Sequence, residues 1–176
     1  PYDESIRIPM IFYIPEKLGG RPRDLDAMIN LEDVMPTLLG LCKVDIPQTV
    51  EGVDYSSYLK GEENSGDSIT WITSVMPYGQ WNRSRGGREF RGLRSTNFTY
   101  VKDLSGPWLF FDNKKDPYQL NNLVREPEYS DLVKSFDKLL LEKLKVRGDE
   151  FLPGIEYVKK WNYPELDETG TVPFVW

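Results

Sequence analysis

Trp108-Leu109-Phe110-Phe111-Asp112-Asn113-Lys114-Lys115-Asp116-Pro117-Tyr118-Gln119-Leu120-Asn121-Asn122-Leu123 is the stretch that decides the fold. Four apolar residues stop abruptly at Asp112, which reads as a buried strand running into a polar turn. Asp112 and Asp116 bracket that turn, where short carboxylates accept hydrogen bonds from free backbone N–H groups. Pro117 then fixes φ on the way out. Asn121 and Asn122 suit another turn or the start of a helix. The oxygen-rich spacing lacks the glycine and closing glutamate of an EF-hand loop, so turn chemistry outweighs calcium here.

Upstream of this stretch the pattern is one of short strands. Ile69 to Val75 alternates β-branched and polar residues, as a half-buried strand does. Phe90 to Arg94 and Phe98 to Lys102 flank Ser95-Thr96-Asn97, a natural hairpin turn. Downstream, Leu132, Val133, Phe136, Leu139, Leu140 and Leu144 form one apolar stripe within Tyr129–Val146, and Gly148 is a suitable stop. The fold class that follows is α+β: a small antiparallel sheet of about four strands, with one face covered by a long C-terminal helix. The tail after Pro153 has no clear period. Tyr157, Trp161, Tyr163 and Trp176 are expected there as packing anchors.

The first third reads differently. Ile6 to Ile14 is nearly continuous in apolar and β-branched residues and predicts a mostly buried strand, with Pro9 placing it at an edge or starting it late. Pro15 to Arg23 is a loop. Asn30 is a plausible N-cap, with Glu32 and Asp33 in the first turn of a helix. Leu31, Val34, Leu38, Leu41 and Cys42 mark the face expected to be buried. Pro36 either delays the start of this helix to Asp33 or bends it. Gly61 to Asp67 is the clearest break in composition.

Composition bounds the function. The chain has 176 residues, 39% hydrophobic, 28% charged and 13% aromatic, which fits a folded domain rather than a disordered one. A net charge of −6 disfavours a nucleic-acid footprint over the whole surface. Its opening residues, Pro1-Tyr2-Asp3-Glu4, read like the interior of a longer protein. Cys42 has no partner for an internal disulfide, so cysteine pairing does not indicate the compartment. Histidine is absent. A self-contained His-dependent hydrolase or zinc site is therefore excluded.

Taken in order, the segments resemble those of the sulfatases. ESIRIPMIFYIP (residues 4–15) is similar to the segment that follows the family's second group of metal ligands. INLEDVMPTLLGL (29–41) resembles its helix with Pro-Thr-Leu-Leu, and VEGVDYSSYLKGE (50–62) its Gly-x-Ser-Leu segment, with Tyr55 and Tyr58 in place of usual residues. RGLRSTNFTYVKD (91–103) and the opening stretch resemble the C-terminal hairpin and its Tyr-Asp-x-x-x-Asp-Pro-x-Glu-x-x-Asn-Leu motif, with Gln119 at the usual glutamate. The likeness runs in unbroken order over about residues 2 to 145.

The resemblance implies a parent enzyme that hydrolyses sulfate esters with a formylglycine, made from the first residue of a Cys/Ser-x-Pro/Ala-x-Arg motif, beside a bound calcium. It also implies a periplasmic or secreted parent. Cys42, followed by Lys43-Val44-Asp45-Ile46, does not fit that motif. The chain is thus expected to hold no catalytic residue, no metal ligand and no cofactor, and to be inactive alone. Its expected partner is the upstream catalytic domain of the same protein. On this reading residues 1–64 are a strand and helix from the end of the large α/β catalytic domain, 65–150 are the C-terminal subdomain, and 151–176 are a tail packed on the body. A strand and helix deprived of their sheet would make the chain self-associate, or tuck the strand against its own small sheet.

Substrate contact is expected from Trp81, Arg83, Arg85, Arg88 and Arg91. Guanidinium forks suit sulfate and carboxylate, an aromatic face suits a sugar ring, and Gly86-Gly87 lets the backbone approach a ligand closely. Against this stands the reading that Arg91 and Arg94 are strand residues paired with acidic neighbours. Two other functions compete: a stand-alone carbohydrate- or anion-binding module, and part of a related phosphodiesterase or phosphonate hydrolase.

Overall fold

The hairpin expected at Ser95-Thr96-Asn97 is closed by its own first residue. Ser95 Oγ accepts from the Phe98 N–H at 2.9 Å and donates to the Phe98 carbonyl at 3.1 Å. Around this turn a computed structural model describes residues 1–18, 20–61, 69–75, 85–163, 165–168 and 170–173. They form two compact units, one of residues 1–6 with 71–176 and one of residues 7–70.

The larger unit is built on a four-stranded sheet in the order β1 (Ile69–Ser74), β2 (Phe90–Ser95), β3 (Phe98–Asp103), β4 (Gly106–Asp112). β2–β3 and β3–β4 pair antiparallel, with Leu93 opposite Tyr100 and Tyr100 opposite Phe110. Helix α4 (Ser130–Arg147) covers one face and buries Val133, Phe136, Leu140 and Leu144, as the periodicity predicts. The Phe136 ring meets Phe110 edge-on at 5.7 Å and also contacts Phe98 and Tyr100. Such edge-on pairs add to plain area burial. Tyr100, fully buried, donates from its hydroxyl to Asp137 of α4 at 2.7 Å. Burial first, and then the Asp137 carboxylate, push this phenol far above its ordinary range. Gly148, at φ +66, ends α4 in the left-handed conformation that glycine adopts without strain.

Because side chains alternate along a strand, Val101, Leu109 and Phe111 point to the other face. They cluster there with Ile72, Phe90 and Trp108. Gly92 makes this possible, since a Cβ there would lie 2.5 Å from the Tyr100 carbonyl oxygen and 2.9 Å from Ile72. The chain's first residues also belong to this unit. A short helix, α1 (Asp3–Ile6), follows Tyr2, whose ring lies 5.8 Å from Phe111.

The polar turn after β4 behaves as its residues dictate. Asp112 accepts from the N–H groups of Lys114 and Lys115 at 3.1 and 3.0 Å. Asp116 accepts from the Asn121 N–H at 2.7 Å, the main cause of a carboxyl held below its usual range. Asn122 turns the chain, its side-chain oxygen accepting from the Val124 N–H at 3.2 Å, and it does a second thing as well. Its amide accepts from the Phe110 N–H at 3.0 Å and donates to the Trp108 carbonyl at 3.0 Å, while the Leu123 N–H reaches the Phe110 carbonyl at 2.8 Å. One side chain thus substitutes for a neighbouring strand and caps the outer edge of β4.

In the smaller unit, α2 (Leu31–Cys42) starts at Leu31 and continues through Pro36. Pro36 has no N–H to donate to the Glu32 carbonyl. Gly52 passes so close to that carbonyl that a Cβ would stand 2.0 Å from the oxygen. Buried Asp33 accepts from the Asn30 and Val53 N–H groups, each at 2.7 Å, and buried Thr37 accepts from the Tyr55 N–H at 3.0 Å. These bonds staple α2 to the segment leading into α3 (Ser56–Lys60).

Four expectations are corrected here. Residues 7–14 form no strand, and Ile8, Ile11 and Tyr13 are 67%, 93% and 90% exposed. A strand needs a ladder partner, and among the described residues none pairs with this segment. The stripe of α2 expected inside is mostly outside: Leu31, Leu38 and Cys42 are exposed, and only Leu41 is buried. Asp33, Pro36 and Thr37 hold the inner face instead, because the staple to Val53 and Tyr55 turns that side inward. Finally, the tail forms a helix, α5 (Gly154–Lys160), where the sequence offers no period, and Trp161 remains 54% exposed while stacking on Tyr157 at 5.0 Å. Trp176 lies outside the described residues.

One buried ion pair ties β2 to the end of α4. Arg91 Nε and Nη2 donate to Asp149 at 2.6 and 3.2 Å, and Nη1 donates to the Ser74 and Phe90 carbonyls at 3.0 Å. The Phe151 ring covers the guanidinium at 4.8 Å. Burial alone pushes the Asp149 carboxyl up. Hydrogen bonds from Arg91, the Phe151 N–H and the Tyr157 hydroxyl outweigh it and hold the group below its ordinary 3.8.

Two outcomes follow from this packing. Phe136→Ala is expected to cost about 3–5 kcal/mol of unfolding free energy in urea melts. Arg91→Ala is expected to cost about 3–5 kcal/mol, toward the lower end because Asp149 keeps some exposure. A depressed carboxyl stabilises the fold above its unfolded value of 3.8 and loses that contribution as pH falls through the lower folded value. Stability-against-pH curves should therefore show an acid limb that Arg91→Ala flattens.

Candidate functional site

The arginine-rich connection between β1 and β2 enters the described residues at Arg85; Trp81 and Arg83 lie outside them. Gly86 takes φ +82 with open space around it, a conformation that favours glycine. Arg85 is exposed. Arg88 lies over the Trp108 ring, 4.2 Å from its centroid, and donates from Nη1 to Asp103 Oδ2 at 2.9 Å. Glu89 is buried and accepts from the Gly154 N–H at 2.8 Å, at the first residue of α5.

Strand alternation then separates the arginines. Arg91, opposite Lys102, falls on the face covered by α4, where its side chain is 2% exposed and every guanidinium nitrogen is engaged. It is a structural arginine. The expectation that it meets a ligand is corrected, because the guanidinium is buried and each of its nitrogens already donates to Asp149, Ser74 or Phe90. Arg94 falls on the opposite face. Its Nε and Nη2 form a fork on the Asp3 carboxylate, both at 2.9 Å, and Nη1 donates to the Ser95 carbonyl.

That second pair belongs to a polar cluster that sequence reasoning missed. Gln119 accepts from the Asp3 N–H at 2.8 Å and donates toward Asp3, Thr99 and Asn113 at 3.2–3.4 Å. Thr99, fully buried, donates to Asn113 at 2.9 Å. Gln119 is 5% exposed and held at φ +53, an unusual conformation for a side chain of its size. The signal was present in Gln119 itself, a polar residue inside a turn motif, but its partner lies at the other end of the sequence.

Trp108 was expected only as a strand residue. The register of β3 with β4 shifts between Val101 and Lys102, which inserts Trp108 as an extra residue on β4. A bulge of this kind re-aims a side chain. Trp108 accordingly packs with Phe90 and the Val101 cluster, where Arg88 meets it. Of Arg88, Arg91 and Arg94, only Arg88 keeps guanidinium nitrogens with no described acceptor.

A second concavity of about 510 Å³ lies between the β3–β4 hairpin and the end of α4. Most of its charged walls are already matched: Lys102 with Asp137, Asp103 with Arg88, Asp149 with Arg91, and Glu150 with Lys160. Among the described residues no three of His, Cys, Asp and Glu come together as a metal site would require. Among the described residues no helix is long and apolar enough to cross a membrane.

Comparison with known proteins gives this arrangement a family. Residues 1–146 match the model of the N-sulphoglucosamine sulphohydrolase C-terminal family. An ulvan-active sulfatase of Formosa agariphila is 37% identical over 176 residues, covering 98% of this chain and 33% of that protein. An arylsulfatase of Clostridium perfringens is 29% identical over 166 residues, covering 93% of this chain and 32% of its own length. The crystal structure of a phosphonate monoester hydrolase of Agrobacterium radiobacter has the same fold at 21% identity, with a TM-score of 0.58 over 88% of this chain and 30% of that one. The chain thus spans about a third of the length of the curated relatives it matches. It belongs to the N-sulphoglucosamine sulphohydrolase C-terminal family, a C-terminal region of sulfatases.

Proposed function

We propose that this chain is the C-terminal third of a sulfatase that hydrolyses sulfate esters of a carbohydrate. The observation that carries the proposal is the family match over residues 1–146, whose model is named for a sulfated amino sugar. In this reading residues 1–64 complete the catalytic α/β domain, residues 65–150 are the C-terminal subdomain, and residues 151–176 pack on the body as a tail. The formylglycine nucleophile and the calcium of such an enzyme come from residues outside this chain. No step of the reaction is assigned to this chain. This chain's part is to complete the fold and to shape the substrate cleft through the arginine-rich connection before β2, with Trp81, Arg83, Arg85 and Arg88 as the candidate contacts.

The partner in this reading is the upstream catalytic domain. Leu31, Met35 and Leu38, which are 83%, 50% and 48% exposed, recur along one side of α2 as a surface of the kind a neighbouring domain covers. A second reading, a phosphonate monoester hydrolase, draws on the shared fold with the Agrobacterium enzyme. That likeness does not reach substrate chemistry, since one fold carries several activities.

The test compares the whole gene product with this chain on 4-nitrophenyl sulfate, glucosamine 6-sulfate and a phenyl phosphonate ester. Hydrolysis of the sulfate esters by the whole protein alone is the expected result. A preference for the phosphonate ester would move the assignment to the second reading. The chain by itself is expected to sediment as more than a monomer, and Leu38→Lys to shift it toward the monomer.

A further inference from the structure

Arg88 has a fixed guanidinium with one edge unused. The Trp108 ring supports its face at 4.2 Å, and Asp103 Oδ2 holds Nη1 at 2.9 Å. Asp103 is itself fixed, since its other oxygen accepts from the Ser105 N–H at 2.7 Å. No described residue accepts from Arg88 Nε or Nη2, and none accepts from the Trp108 indole N–H. The Arg88 side chain is 43% exposed, against 2% for Arg91 and 11% for Arg94.

The chemistry of such a fork is narrow. Nε–H and Nη2–H point the same way in the guanidinium plane, at the spacing of two oxygens of a sulfate or a carboxylate. Binding usually costs the rotamer freedom of a long side chain, and here ring and carboxylate have already removed much of it. Asp103 offsets the charge of Arg88, so attraction at long range is weak. Recognition must be directional and short-range, which suits a ligand held by other contacts as well. A partly exposed indole beside the fork offers an apolar surface of the kind a sugar ring covers.

We infer that Arg88 and Trp108 form a subsite for one oxyanion group, sulfate or carboxylate, carried by a saccharide. The saccharide part rests on the sulfatase reading; the anion fork does not. Asp103 acts as a positioning residue, setting the rotamer of Arg88 without touching the ligand. The bulge in β4 is the device that brings Trp108 under Arg88.

The test follows the Arg88 Nε–H resonance of the 176-residue chain in ¹⁵N spectra during titration with glucosamine 6-sulfate, glucuronic acid, N-acetylglucosamine and inorganic sulfate. Saturable shifts with glucosamine 6-sulfate or glucuronic acid but not with N-acetylglucosamine support the inference, and whichever of the two binds tighter names the group. Arg88→Lys, which keeps the charge and loses the fork, should weaken binding about tenfold. Trp108→Leu should weaken the charged sugar more than inorganic sulfate. Equal responses to charged and uncharged sugars, or an unchanged affinity in Arg88→Lys, would overturn it. In the whole gene product, Arg88→Ala should raise KM on glucosamine 6-sulfate by a larger factor than on 4-nitrophenyl sulfate. If sulfate esters are hydrolysed and KM does not move, the subsite is wrong and the sulfatase reading stands. If no sulfate ester is hydrolysed while Arg88-dependent binding persists, the sulfatase reading fails and the subsite stands.

Discussion

An arginine can enter the covered face of a sheet only if its counter-charge arrives with it, and Arg91 with Asp149 is where this structure meets that condition. Asp149 comes just after Gly148 ends α4, so the position of the carboxylate depends on where the helix stops. The helix stop, the β2 register and the seating of Phe151 over the guanidinium are therefore one constraint. Removing either charge leaves the other largely buried without its counter-charge, which is costlier than the pair is stabilising.

The same logic sorts the rest of the arginine-rich stretch. Three positions along the strand, an odd number, put Arg94 on the far face, where the Asp3 carboxylate meets it. The first turn of the chain thereby becomes part of the sheet unit, with Gln119, Thr99 and Asn113 completing the polar contacts. Arg88, before the strand begins, is outside the alternation. It is fixed by an indole and one carboxylate oxygen, and keeps an outward edge. Three arginines within seven residues thus have three different fates, set by sheet geometry and not by residue type.

The smaller unit shows how a polar staple can reverse an apolar pattern. The sequence of α2 carries a credible hydrophobic stripe, yet Asp33 and Thr37 face inward because the Val53 and Tyr55 N–H groups need acceptors there. Pro36 and Gly52 fit the same contact, one supplying no helical donor and the other leaving room for backbone to approach the Glu32 carbonyl. Leu31, Met35 and Leu38 are left outward.

What the sequence determined by itself was local. The hairpin at Ser95-Thr96-Asn97, the turn between Asp112 and Asp116, the α4 stripe and its stop at Gly148 all follow from short-range periodicity and from side chains that hydrogen-bond to nearby backbone. The order of the segments was enough to indicate the family. Tertiary structure alone decided what depends on residues far apart in the chain. Asn122 caps an edge, Gln119 meets Asp3 across 116 positions, Trp108 is turned by a bulge, and residues 7–14 remain outside any sheet. A strand, a buried charge and a binding edge are each defined by a partner, and the identity of that partner is not written beside them in the chain.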